Sequence, residues 1–488
     1  VLLRIQQVNM LTLKLAGHVS AEDKQNNDYR YVPFELARPA GRLHVSYRYS
    51  ATVAEEQQPE LLVIDLGLFD PRGTDFPGSA GFRGWSGGAR SEFTITPTDA
   101  TPGYLPGPLP AGQYQVILGL YRIPPGGADY MITIAIEPAD DQQPATTVQP
   151  AANAKREHDP EQQESCWLRG DLQSHTEHSD ARGTLAQLTA KARALELDFL
   201  AITDHNTVSH HAHLEALADA KLLLIPGQEV TTYYGHMNVW GTSRWCDFRC
   251  RNADDMAAVI ALAHAHGGVC SINHPKRGGP AWEYDTSLPV DALEVWQGPW
   301  PWRNTESLAL WDRLLQRGQR LPVVGGSDYH CPAGEDTSFL RLGQPTTWVK
   351  ADERSIPAIL AAISAGRASI SAAPDGPRLD LRATVGRVAA EMGESLPCVA
   401  NDQIDVEVQI ERGTGWTLRL IVDGEIAHTA PISAASATVR HTLAAQRYIR
   451  AELVGDAPPA IIPPHAPPDL DLREWRWALS NPIYIEPV

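Results

Sequence analysis

The sequence has 488 residues, which at roughly 150 residues per domain implies about three domains. Its 41 Lys and Arg against 59 Asp and Glu leave a formal charge of −18, a field that repels polyphosphate, so nucleic acid is not an expected partner. With 43% hydrophobic and 20% charged residues the composition is globular, and six cysteines are too few for a disulfide scaffold of this length.

Cys246 and Cys250 lack the second pair that a structural zinc site needs, and the thiols read as reduced or incidental. No stretch reaches the ~18 consecutive apolar residues of a membrane span, and residues 1–10 lack the charged-then-apolar order of a signal peptide. A soluble, cytoplasmic protein without membrane contact is expected.

Residues 1–140 read as a β-sandwich. Short alternating or β-rich runs at 43–49, 61–66, 93–95, 114–121 and 130–136 are separated by Gly- and Pro-rich turns. Residues 141–165 are polar and apolar-poor, the composition of a linker. From 166 to 375 strands alternate with helices. Thr184 can cap a helix whose one face carries Leu185, Leu188, Ala192 and Leu195, and buried-strand runs follow at 199–202, 222–225, 269–272, 293–296 and 322–324. Residues 376–488 return to β-rich patterning, with an Asp423-Gly424 hairpin turn, a Pro-rich loop over 458–468 and a final extended piece at 482–487. No internal repeat is visible.

The chemistry sits where the strands of the middle region end. Residues 199–202 run into Thr203-Asp204-His205-Asn206, and 222–225 into Pro226-Gly227-Gln228-Glu229. Residues 269–272 run into Asn273-His274-Pro275, and 322–324 through two glycines into Ser327-Asp328-Tyr329-His330. In a β/α barrel these positions converge on the face where active sites are built. With His175 and Asp180 from the 173–180 segment and His236 after Glu229, the candidate ligands are His175, Asp180, His205, Glu229, His236, His274, Asp328 and His330. Imidazoles and carboxylates without thiolate suit Zn, Mn or Fe. Eight ligands exceed one ion and fit two or three. Glu229 is the best bridging carboxylate, and a hydroxide between two ions would be the nucleophile. His210, His211 and His213, on a polar helical start, are expected to be solvated. His264 and His266 are expected as packing or helix-dipole residues, and His178 stands beside the ligands but outside the pattern.

These motifs resemble the successive motifs of the PHP (polymerase and histidinol phosphatase) superfamily: His175-Thr176 with Ser179-Asp180, Thr203 to Asn206, Pro226 to Glu229 with His236, Asn273-His274-Pro275, and Ser327 to His330. The 81–90 and 294–300 segments, and Asn481-Pro482-Ile483-Tyr484, resemble the branch that contains carbaryl hydrolase. The resemblance implies an α/β fold, a distorted seven-stranded β/α barrel flanked by the N-terminal sandwich and the C-terminal β-rich domain. It also implies one ion held by His175, Glu229 and Asp328, a second by Glu229, His236 and His274, and a third by Asp180, His205 and His330. The first motif departs from the usual His-x-His, since Gln173 replaces its first member and offers only a neutral amide oxygen.

Ester-type hydrolysis follows from such a site, with Glu229 and Asp328 holding the ions and His330 or a metal-bound water as the proton donor. Tyr233, Tyr234, Trp240, Trp245, Trp282, Tyr284, Trp296, Trp300 and Trp302 crowd the loops of the active face. As a pocket they would favour a small aromatic or apolar carboxylic or carbamate ester. Lys276, Arg277, Arg303 and Arg182 would instead favour a phosphate ester. A third reading is a non-catalytic, metal-stabilised binding protein. Edge strands of the β domains would allow a homo-oligomer.

Overall fold

A computed structural model describes residues 10–53, 56, 61–139, 165–278, 281–336, 339–399, 402–456 and 475–488. The expected linker lies almost wholly outside these residues, as does the Pro-rich 458–468 loop.

The N-terminal region forms two four-stranded antiparallel sheets. One runs in the order Leu11–Val19, Ala128–Pro138, Ala40–Ala51, Glu92–Ile95; the other in the order Tyr29–Leu36, Gly112–Arg122, Val63–Phe69, Phe82–Gly87. Alternate residues of the first, such as Leu43, Val45, Ile132 and Ile134, meet Leu66, Leu68, Val116 and Leu118 of the second in one buried core. That period-two burial is what the sequence pattern predicts for a sandwich. Leu11–Val19, which the pattern from residue 28 onward leaves out, adds an edge by pairing with Ala128–Pro138.

The central sheet runs Val323–Gly326, Ala292–Gln297, Val269–Ile272, Gly235–Trp240, Leu223–Thr232, Phe199–Ile202, Cys166–Asp171, Thr346–Ala351, Ala368–Ser371. Phe199–Ile202 pairs in parallel with both neighbours, and Ala292–Gln297 does the same. Helix Leu185–Ala194 begins at Thr184, whose side chain accepts from the Gln187 backbone N–H and buries Leu185, Leu188 and Ala192.

The expected distorted (β/α)7 barrel is seen only as a mixed, open run of strands and helices. Among the described residues no backbone ladder joins Val323–Gly326 to the other end of the sheet. Side chains make the junction instead: Gly325 N–H donates to Thr347 Oγ1 (2.9 Å) and that hydroxyl donates back to Gly325 O (2.7 Å). Asn481 Oδ1 accepts from Val323 N–H (2.8 Å), while its amide donates to Val323 O and Ala368 O (both 2.9 Å). The arrangement is also not all-parallel. Leu223–Thr232 turns back at Tyr233-Tyr234 into Gly235–Trp240, which is antiparallel to both its neighbours.

Ala368–Ser371 pairs with Trp475–Ser480 (Ser369 opposite Ser480), so the sheet runs across the expected 375/376 boundary without a break. Its continuation, Tyr448–Gly455 and Thr417–Val422, packs Leu418, Leu420, Ile449 and Leu453 onto Leu379, Leu381, Val406 and Val408 of a second sheet. This is a second sandwich. Its Asp423-Gly424 turn has both φ angles positive (52° and 94°), as the two-residue hairpin requires.

The N-terminal sandwich is joined to the central sheet region by side chains. Phe82 stacks on Trp245 (centroids 3.8 Å, 9°) and Arg249 reaches Tyr31 Oη, Thr74 O and Asp75 O at 2.6 to 3.0 Å. No helix of the described residues is long and apolar enough to cross a membrane.

Candidate metal centre

Short pairings bring the strand-end side chains together. Ser174–His175 lies parallel to Tyr329–His330, with His175 opposite His330, and their rings are 4.4 Å apart. An isolated parallel bridge joins His205 to Glu229, and the His205 ring stacks 4.3 Å from that of His175. The hairpin at Tyr233-Tyr234 folds His236 back beside Glu229. His274 and Asp328 follow their strands with positive φ, 28° and 54°, conformations uncommon for side-chain-bearing residues and frequent at functional sites.

Glu229 is completely buried at the centre. Its Oε1 lies 3.1 Å from His236 Nδ1 and 3.3 Å from His274 Nε2, and accepts from Asn273 (2.9 Å) and Gln173 (3.2 Å). Its Oε2 lies 3.1 Å from His205 Nδ1 and 3.3 Å from His175 Nε2. Asp328 Oδ1 is 2.9 Å from His175 Nε2, while Oδ2 accepts from Gln297 (3.0 Å). Asp180 Oδ1 lies 3.2 Å from His330 Nε2 and 3.6 Å from His205 Nε2.

Three groups therefore offer ligand atoms within 4.8 Å of one another: His175, Asp180, His205 and His330; Glu229, His236 and His274; and His175, Glu229 and Asp328. All eight candidate ligands fall in them. Gln173 is outside, yet its Nε2 binds Glu229 and its Oε1 is buried without a hydrogen-bond partner. An amide oxygen with no donor fits a cation neighbour.

The electrostatics point the same way. Burial pushes Glu229 up, but His205 and His236 outweigh it and hold the carboxylate well below its ordinary range. Asp180 is likewise held low by His205 and His330 against the effect of burial. Burial pulls His205 and His330 down, and facing carboxylates, Asp180 foremost, lift them to about 9 and about 10. Several buried anions and imidazoles thus need added positive charge, which protons or divalent ions can supply. By the donor set, the orphaned amide oxygen and this charge balance, the residues fit divalent metal ions.

The supporting acids are easily overlooked in the sequence. Asp204, fully buried, accepts from Thr176 N, Thr176 Oγ1 and Ser179 Oγ, each at 2.7 Å, and so shapes the loop bearing Asp180. Asp171 accepts from the backbone N–H groups of Gln173, Ser327 and Gly343, and burial lifts it to about 6. Glu294 accepts from His274 N–H (2.9 Å). Asp204 lies inside a motif and the other two on strands, which is their only sequence signal.

His210 and His211 are not solvated, contrary to expectation. His210 is fully buried, with Nε2 3.1 Å from both Ile202 O and Gly227 O, and His211 Nε2 is 2.8 Å from Gly227 O. The start of helix His211–Leu217 is pinned to strand carbonyls, a tertiary effect that local polarity does not reveal. His213 is exposed. His178 is buried against Ser209 Oγ (2.8 Å), and the half-exposed His264 meets Asp291 (2.8 Å).

Two cavities share His205 and His236. The larger, about 730 Å³, lies between the N-terminal sandwich and the central sheet region, and is lined by Asp180, Arg182, Tyr233, Asp65, Trp85 and Arg90 among others. The smaller, about 220 Å³, is lined by His274, Asp328, Lys276, Arg277, Gln297 and Trp302. Lys276 is buried and donates to Gln297 O (3.0 Å) and Asn304 Oδ1 (2.7 Å); desolvation lowers it to about 7. Of the expected substrate contacts, Tyr233 and Lys276 line these cavities. Trp300 is buried edge-on against Trp296, Trp282 packs against Tyr284, and Arg303 starts helix Asn304–Gln316.

No family model matches the chain, and no curated protein matches it. Solved structures do. A two-domain protein containing a predicted PHP-like metal-dependent phosphoesterase, from Bacteroides vulgatus, is 17% identical over 67% of this chain and 99% of its own, with a TM-score of 0.35. A proposed metal-dependent phosphoesterase from Bifidobacterium adolescentis is 20% identical over 36% of this chain and 90% of its own, with a TM-score of 0.27.

Proposed function

We propose that this chain is a PHP-type, metal-dependent hydrolase that cleaves phosphate esters of small molecules. The observation that carries the reading is the overlap of three ligand groups, through His175 and Glu229, directly beside a small cavity lined by Lys276 and Arg277. His175, Glu229 and Asp328 would hold one ion, Glu229, His236 and His274 a second, and Asp180, His205 and His330, with His175, a third. Such ions supply Lewis acidity and an activated water at neutral pH.

The chain's own residues set the geometry of this chemistry. Glu229 fixes the spacing between two of the groups, and Asn273 and Gln173 orient its Oε1. Gln297 steers Asp328. Lys276 has two of its three N–H donors committed to Gln297 O and Asn304, which leaves one for a phosphoryl oxygen. His330, on the rim with Asp180, would serve as a ligand through Nε2, its Nδ1 being held 2.9 Å from Asp328 O.

Hydrolysis of a carboxylic or carbamate ester is the second reading, favoured by the rings of Tyr29, Trp85, Tyr121 and Tyr233 in the larger cavity. Its first motivation weakens in the fold, because Trp240, Trp296 and Trp300 are buried in the core and Trp245 stacks on Phe82. Assays with 4-nitrophenyl phosphate, 4-nitrophenyl acetate and a 1-naphthyl carbamate, after loading with Mn or Zn, separate the two. Turnover of the phosphate ester that a chelator abolishes is expected. Turnover of the acetate or carbamate alone overturns the phosphoesterase reading, and no turnover at full metal content favours a binding role.

A further inference from the structure

The wall of the larger cavity that comes from the N-terminal sandwich is built like a receptor for a positive charge. Asp65, on strand Val63–Phe69, is only 7% exposed and lines the cavity. Its Oδ2 accepts from Tyr233 Oη (2.7 Å), and its Oδ1 accepts no hydrogen bond from the described residues. A Cβ at Gly88 would stand 3.5 Å from Oδ1, and one at Gly87, where φ is +52°, would stand 3.8 Å away. Two consecutive residues without side chains thus leave this oxygen reachable from the cavity.

Four rings, those of Tyr29, Trp85, Tyr121 and Tyr233, line the same space. Tyr233 packs against Tyr121 (5.1 Å) and Tyr29 (5.9 Å), and Tyr29 meets Trp85 edge-on (6.2 Å). The Tyr233 ring already carries one cation in the fold, since Lys24 Nζ lies 4.2 Å over its centroid; that ammonium is ion-paired with Asp28 and acts on Asp65 through space without a direct contact. Arg90, on the same wall, is committed to the carbonyls of Ser179 and Glu177, and Arg182 is solvent-exposed. A buried carboxylate with one oxygen unpartnered, ringed by aromatic faces, is matched by an ammonium group. Burial lifts Asp65 to about 6, against the pull of Tyr233 and of the Lys24 ammonium.

We propose that Asp65 and the surrounding rings bind a primary ammonium group of the substrate, which is therefore a phosphate ester of an amine-bearing alcohol. This rests on the phosphoesterase reading for its phosphate end. Hydrolysis would place the water oxygen on phosphorus and a proton on the departing alkoxide oxygen, with the amine unchanged. Asp65 is the specificity-determining residue, and the N-terminal sandwich supplies the selectivity of a centre whose reacting groups lie on the barrel.

Calorimetry with benzylammonium and benzyl alcohol, alongside kcat/KM for 4-(aminomethyl)phenyl phosphate and 4-methylphenyl phosphate, tests this on the metal-loaded full chain. The wild type is expected to favour the amine at least about tenfold in both measurements, the scale of one charge-assisted contact. Asp65→Asn should remove that preference, whereas Tyr233→Phe, which keeps the carboxylate, should retain it. Equal binding of amine and alcohol by the wild type overturns the proposal without recourse to any variant, as does an unchanged preference in Asp65→Asn. Asp65-dependent amine binding without hydrolysis of either ester sinks the phosphoesterase reading and leaves the ammonium site standing. Hydrolysis of both esters at equal rates without amine binding does the reverse.

Discussion

The N-terminal and C-terminal sandwiches share an architecture but are attached to the central sheet in different ways. The C-terminal one is a continuation of that sheet, through the ladder between Ala368–Ser371 and Trp475–Ser480, and lines neither of the two cavities at the ligand cluster. The N-terminal one has no strand in the sheet and is docked by side chains, among them the Phe82–Trp245 stack and the Arg90 bonds to the loop carrying Asp180. Backbone attachment fixes a domain's position but spends its edge on hydrogen bonds. Side-chain attachment leaves a cleft, and a cleft can hold a ligand.

The comparison can be broken at the centre, at either attachment or by pH. The largest effect is expected from Glu229→Gln, which removes the charge shared by two ligand groups. Metal content by elemental analysis should fall, and activity should drop by roughly 10³-fold, the scale of losing a central electrostatic partner in the transition state; a fully active variant would sink the shared-carboxylate arrangement. Arg90→Ala should weaken ion binding at the Asp180 group by about 10- to 100-fold, as for other residues that orient ligands. Metal titration should show the other ions retained, and uniform loss of every ion would argue for general unfolding instead.

At the other attachment, Asn481→Ala strips partners from Val323 N–H and Val323 O, while Ala368 O keeps the Asn481 backbone N–H (3.2 Å). A stability loss of about 2 to 3 kcal/mol is expected, since buried backbone groups lose their bonds. Denaturant unfolding would measure it, with KM of the folded, metal-loaded protein little changed. The smallest effect concerns pH. His205 and His330, raised to about 9 and about 10 by facing carboxylates in spite of burial, stabilise the chelator-treated protein fully below about 6.5, their ordinary value. That contribution is lost as pH climbs through 9 and 10. Thermal melts should therefore fall across this window for the metal-free protein and less for the loaded one; parallel curves would contradict it.

Much of the candidate site is legible in the sequence because its residues follow strands directly, where a buried apolar run gives way to His, Asp or Glu. Glu229 and His205 are readable for that reason. The unclosed barrel is not, because its junction depends on single side chains, Thr347 and Asn481, far apart in the chain. The antiparallel strand Gly235–Trp240 is hidden as well. Its turn is Tyr233-Tyr234, without the Asn-Gly or Asp-Gly that marks Asp423-Gly424, and Gly235 with φ of 136° follows it. The tryptophans mislead because burial depends on which elements pack behind them. Trp300 belongs to the core, while the rings that do line the cleft, Tyr29, Trp85 and Tyr121, come from the N-terminal sandwich, which carries none of the ligand motifs.

The pairing of His175 with His330, with Asn481 bracing the strand before His330, has a consequence for biosynthesis. Segments as far apart in the chain as His175 and His330 must meet before the full ligand set exists. Such long-range closure is slow, so the emerging chain cannot assemble this centre piecemeal. Ion capture would follow the pairing of these distant segments rather than precede it.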